Sequence, residues 1–156
     1  MRTICSLLLL LCAGTIGCGG DSTGPSAAYD NIAGTYNGAL IGLSQGIALN
    51  STFSITIAEA SGATSGSWGL SGTLSDGVNT VNVAGTGTLT GTIDSGNNPS
   101  VSITIKTAAC PNYQAHFSGT NDSINHRLTI SGPVEFFASN SCSVVLTYNA
   151  TIVLNH

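Results

Sequence analysis

The stretch Cys142-Ser143-Val144-Val145-Leu146-Thr147-Tyr148-Asn149-Ala150-Thr151-Ile152-Val153-Leu154-Asn155 decides the fold. Cys142, Val144, Leu146, Tyr148, Ala150, Ile152 and Leu154 recur at every second position, and Ser143, Thr147, Asn149, Thr151 and Asn155 stand between them. Successive side chains of a strand point to opposite faces, so this spacing predicts a long strand with one apolar and one polar face. The same period runs upstream. Phe53, Ile55 and Ile57 alternate with Ser and Thr, as do Val101, Ile103 and Ile105. Between 78 and 94 the phase holds through Val81, Val83, Gly85, Gly87, Leu89, Gly91 and Ile93, which predicts one long strand bent at its glycines.

Turn chemistry at Ser61-Gly62, Asp76-Gly77, 95–99 and Ser139-Asn140 separates the segments. The reading predicts eight strands near 32–43, 51–60, 63–75, 78–94, 100–108, 113–121, 126–137 and 142–155. All connections are short, so consecutive strands should pair antiparallel. An all-β fold follows: a single antiparallel up-and-down β-barrel that hides the apolar face and leaves no edge exposed. An outer-membrane barrel turns its apolar face to lipid. The polar face here lacks the lumen charges and aromatic girdles of such barrels, so the expectation is a soluble barrel with an apolar interior.

Composition agrees. The chain has 156 residues, enough for one domain, and only 6% are charged against 42% hydrophobic. Helix surfaces usually carry Glu, Lys and Arg; Ser, Thr, Asn and Gly replace them here and favour strands and turns. A net charge of −4 with three Lys and Arg excludes a nucleic-acid partner, since no basic face could neutralise a run of phosphates. The same scarcity excludes a folded surface that docks on anionic lipid.

Residues 1–17 read as a signal peptide, with Arg2 as the positive start and Ile4 to Ala13 as an apolar stretch too short to span a bilayer. Thr15-Ile16-Gly17-Cys18 resembles the lipobox of bacterial lipoproteins. The resemblance implies that Cys18 becomes a diacylated N-terminus carrying palmitate-class chains, which anchor stably where a single chain does not. Residues 18–31 then form a flexible tether, and 32–156 the barrel domain. Gly19 stands where the family places Asp for inner-membrane retention, so the resemblance implies the outer membrane of the cell envelope, with the membrane as partner through the lipid.

This reading sorts the cysteines. Cys5 and Cys12 leave with the signal peptide and Cys18 takes the lipid, so Cys110 and Cys142 remain as a pair in an oxidising compartment, and a disulfide is expected. Register constrains it. A hairpin centred near 121–122 sets Cys110 opposite about residue 133, and one centred near 139 sets Cys142 opposite about 136. The two would then flank one strand, about 10 Å apart, whereas a disulfide spans at most about 7 Å. Cys110 must therefore leave the ladder, within a 108–113 loop at Pro111, and fold over the barrel end. Such a staple should close one mouth and leave the other for a ligand.

Gly34-Thr35-Tyr36, Ser51-Thr52-Phe53 and Gly66-Ser67-Trp68 together resemble the opening strands of small eight-stranded ligand barrels of the avidin and lipocalin kind. The resemblance covers about residues 32–75 and implies a barrel able to hold a small ligand. Trp68 is the only tryptophan, and no arginine stands in the last strand, so it implies neither biotin nor any other particular ligand.

No site for chemistry is legible. If the 113–121 and 126–137 strands pair about residue 121, His116 faces His126, but two ligands make a weak metal site and a surface pair explains them. Glu59, Asp76, Asp94, Asp122 and Glu135 fall mostly at strand ends or turns, where solvation accounts for them. No serine lies in a nucleophile elbow, and no glycine loop leads into a helix. The expectations are therefore no catalytic residue, no metal and no cofactor. Two functions stay open. The barrel could bind a small apolar ligand, with Tyr36, Trp68, Phe117 and Tyr148 as lining candidates. Alternatively these residues fill the core, and the protein is a surface coat, adhesion or assembly protein. Eight strands make an interior that side chains can just fill, which favours the filled barrel.

Overall fold

The computed structural model describes residues 31–95, 99–139 and 141–156. The predicted signal peptide, Cys18 and the tether up to residue 30 lie outside the described residues, as do Gly96, Asn97, Asn98 and Asn140. Eight strands follow in order: β1 (Gly34–Ser44), β2 (Ile47–Ala60), β3 (Ala63–Ser75), β4 (Thr80–Ile93), β5 (Ser100–Thr107), β6 (Gln114–Asp122), β7 (Arg127–Phe137) and β8 (Val144–Asn155). Each pairs antiparallel with the next, and β8 closes on β1 through Asn37 and Asn155, giving a closed barrel. The segment from 80 to 93 is a single strand, as its unbroken phase predicts.

Local chemistry sets the hairpins. Gln45 and Gly46 take φ of 53° and 79°, and Ser61 and Gly62 take 52° and 84°. Two central residues at positive φ make the tight turn whose twist matches that of paired strands. The first of these turns lies inside the expected gap between 43 and 51, so β2 begins four residues early. At the β3–β4 turn, the Asp76 carboxylate accepts from the backbone N–H of Val78 and Asn79 at 2.9 and 2.6 Å.

The β6–β7 register differs from expectation. Asp122 pairs with Arg127 and Ser118 with Ser131, so the hairpin centres between 124 and 125 rather than near 121–122. The Asp122 side chain organises this longer turn, accepting from Asn125 N–H at 3.1 Å. His116 and His126 consequently do not face each other. His116 Nδ1 instead lies 2.9 Å from Thr104 Oγ1 on β5, while His126 sits in the turn with its ring 6.1 Å from that of His156. The β7–β8 hairpin is likewise displaced. Phe136 pairs with Leu146, and Cys142 precedes β8 instead of opening it.

The apolar face is turned inward and is buried on every strand. At one end, Ile57, Ile93, Val101, Leu128 and Leu154 meet beneath Ile32, which enters from the segment before β1 and is wholly buried. Each such side chain contributes roughly 1.5–3 kcal/mol by leaving water. This end is closed. The other end carries the turns at 45–46 and 76–79 and the loops 108–113 and 138–143, and there the ladders stop early. The β4–β5 ladder runs only from Gly87 onward, and past the Thr86 carbonyl, which accepts from Ala108 N–H at 3.0 Å, residues 80–85 are paired to β3 alone. β6 and β7 part after Ser118–Ser131. The next pair with backbone groups facing across that ladder would be His116 with Pro133, and proline has no N–H to give. The barrel is therefore split between β6 and β7 at this end.

Candidate functional site: a cleft at the split end

Trp68 of β3 lies directly opposite Gly87 of β4. Its indole covers the glycines there. A methyl group on Gly87 would fall 2.6 Å from Trp68 Nε1, and one on Gly85 would meet the ring edge at 3.2 Å. The indole N–H donates to the Lys106 carbonyl of β5 at 2.9 Å, which fixes the ring across three strands. On its other side it stacks on Phe53 of β2, with centroids 6.0 Å apart and planes 21° from parallel. Larger residues at 85 and 87 would push the ring out, so these two glycines make its seat.

Above this floor the interior is not filled. A cleft of about 900 Å³ opens at the split end, floored by Phe53, Trp68 and Leu70, with Ile105 and Ala115 beside them. Its far wall comes from residues 133–137 of β7. Phe136 packs edge-on to Tyr148 at 5.9 Å, and Phe137 packs edge-on to Tyr113 at 4.8 Å. Tyr113 sits in the split just before β6. Burial, and then the hydrogen bond to Glu135 and its negative charge, push the Tyr113 hydroxyl far above its ordinary range, so it stays protonated and donates. Thr147, directly across the ladder, also reaches Glu135 Oε1 at 3.5 Å.

Cys110 and Cys142 form the disulfide, with Cα atoms 5.6 Å apart. Cys110 lies in the 108–113 loop, outside any ladder, as the distance argument requires. The bond ties that loop to 138–143 across the β6–β7 split. It does not shut the mouth, contrary to expectation. It bridges neighbouring loops at one side of the rim, and the cleft opens beside it, while the opposite end is packed solid.

Of the four aromatic residues read from sequence as lining, Trp68 alone borders the cleft. Tyr36 is buried at the closed end against the His156 ring, at 5.2 Å. Phe117 is a fully buried core residue that covers Gly132. Tyr148 closes the β8–β1 seam, its ring against Gly42 and its hydroxyl donating to the Ile47 carbonyl at 3.0 Å. Phe53, Tyr113, Phe136, Phe137 and Glu135 were not singled out as lining residues. A signal existed in Pro133-Val134-Glu135-Phe136-Phe137. Adjacent phenylalanines break the alternation just past a proline, which marks a strand that loses a neighbour and gains contacts on both faces.

Among the described residues, no three His, Cys, Asp or Glu side chains come together as metal ligands do. Glu135 is the only charged residue bordering the cleft among the described residues, and its side chain lies on the outward face of β7 beside its cross-strand partner Thr147. No protein-family model, curated protein or solved structure matches this chain, so the cleft is read from its own geometry.

Proposed function

We propose that the protein is a non-catalytic lipoprotein of the bacterial cell envelope that holds a small apolar ligand in the cleft at the split end. The observation that carries this reading is the cleft itself: about 900 Å³, floored by Phe53, Trp68 and Leu70. That size and mostly apolar lining fit sites for small organic ligands. A wholly filled barrel, the basis of a coat or adhesion role, would leave no such space. β1 begins at the closed end, so a tether running from a lipidated Cys18 reaches the barrel opposite the cleft. The mouth then faces away from the membrane and stays accessible.

Trp68 is the chain's only tryptophan and lies on the floor, so its emission reports occupancy. Titration with decyl glucoside below its micellar concentration should shift that emission to the blue and saturate. Emission that never responds, or responds without saturating, contradicts binding. Anchoring is tested by Cys18→Ser, which should move the protein out of the membrane fraction; unchanged retention there contradicts the lipid anchor.

A further inference from the structure

Resting on the reading of the cleft as a ligand site, we propose that its ligand is an extended peptide, which adds as a strand to the free edge of β4 and sets apolar side chains over Trp68. Asn82, Val83, Ala84, Gly85 and Thr86 border the cleft in unbroken succession. A sheet face contributes alternate residues to a wall, so an unbroken run means that the edge of the strand fronts the cleft. The Thr86 carbonyl accepts from Ala108 and the Asp94 N–H donates to Ser100, both on the β5 side, whereas the Ile93 N–H turns to Gly62 on the β3 side. Backbone groups alternate sides along a strand, so those of Asn82 and Ala84 also face the β5 side. β5 has ended there, and among the described residues no backbone group pairs with them.

Such an edge is a template for another strand, and proteins ordinarily guard it with lysine, proline or a bulge. Thr80-Val81-Asn82-Val83-Ala84-Gly85 carries none of these. A peptide laid along it directs alternate side chains inward, beside Val83 and Gly85 and over the floor of Phe53, Trp68 and Leu70. Those side chains must be uncharged. Glu135, the one charged residue bordering the cleft among the described residues, points outward, so nothing inside pairs a buried charge. A second copy of the chain fits less well. Residues 107–110 with Ser139, Ser141 and Cys142 stand across the cleft from this edge, in the way of a second folded barrel. Its own β4 would also bring only Val81, Val83 and Gly85 inward, too little to cover the floor.

Titration with the capped peptide acetyl-Thr-Leu-Thr-Leu-Thr-amide should shift Trp68 emission to the blue and saturate. In the isotope-labelled protein, saturating peptide should slow amide exchange at Asn82 and Ala84 by about tenfold or more, and leave Val81 and Val83, which face β3, unchanged. Decyl glucoside fills the cleft without pairing the edge, so it should shift Trp68 emission and not slow those two amides. Ala84→Pro removes an edge donor that has no backbone partner in the fold, and should weaken the peptide about fivefold. If that variant does not fold, the exchange pattern of the wild type decides. A response at Trp68 without slowing at Asn82 and Ala84, undiminished peptide binding by folded Ala84→Pro, or binding of the glucoside alone overturns this inference while the cleft reading stands. Slowing that appears without peptide and grows with protein concentration assigns the edge to a second copy and overturns it too. No response to either probe overturns the cleft reading itself.

Discussion

Trp68 shows how much one residue's position depends on what its neighbours lack. The alternation places Trp68, Gly85 and Gly87 on the inward face, and that much is legible from sequence. That the glycines seat an indole follows only from the β3–β4 register, which sets Gly87 opposite the ring. Depth is the harder quantity. Period two says which face a side chain takes but not its height along a tilted barrel. Tyr36, Phe117 and Tyr148 are inward, as read, yet lie in packed layers, and Trp68 alone reaches the open one. Thr64 offers a test at this scale. It is buried, and its hydroxyl finds no partner. Thr64→Val keeps the shape and removes the unsatisfied group, so unfolding in urea should show a gain of about 1 kcal/mol. An unchanged or lower stability would show that the hydroxyl is satisfied after all.

Among the elements, hairpins whose turns carry strong local signals are placed well, and those without them are not. Ser61-Gly62 is legible because Ser-Gly is a recognisable turn pair. Gln45-Gly46 adopts the same geometry with a poor first residue, and a turn that Asn-Gly would have announced goes unread. Gln45→Asn should therefore stabilise the β1–β2 hairpin, since Asn tolerates positive φ. Gly46→Ala should destabilise it by about 1 kcal/mol, because a Cβ at φ 79° is strained although nothing lies within 4 Å to clash with it. Thermal unfolding of the two variants should move in opposite directions, and movement in the same direction contradicts the turn assignment. The β6–β7 hairpin erred for the opposite reason. Asn121-Asp122 reads as the turn itself, but Asp122 ends β6 and caps a turn that follows it. That slip of about three residues was enough to set His116 against His126 wrongly.

For the whole molecule, closure was legible and the opening was not. Eight amphipathic segments joined by short turns can bury one common face only by closing, whatever the register. The cleft depends on where ladders stop, which turns on Pro133 and on the unequal lengths of β4 and β5. The disulfide belongs to this scale because it joins loops on either side of the split. Its 32-residue separation implies about 3–4 kcal/mol of stabilisation through the unfolded chain. Cys142→Ser should lower the urea midpoint accordingly and keep the strand spectrum, since none of the eight ladders runs through either cysteine. An unchanged midpoint would mean the bond is not made in solution.

The central claim is that one end of this barrel is packed and the other holds a ligand. Amide and indole chemical shifts in an isotope-labelled protein, followed on titration with decyl glucoside, test it most directly. The account predicts saturable shifts at the Trp68 indole N–H, Gly85, Gly87, Ala115 and Phe136, with none at Ile32, Tyr36, Leu128 or Leu154. Shifts centred on the closed end, or scattered over the outer face without saturation, would contradict it.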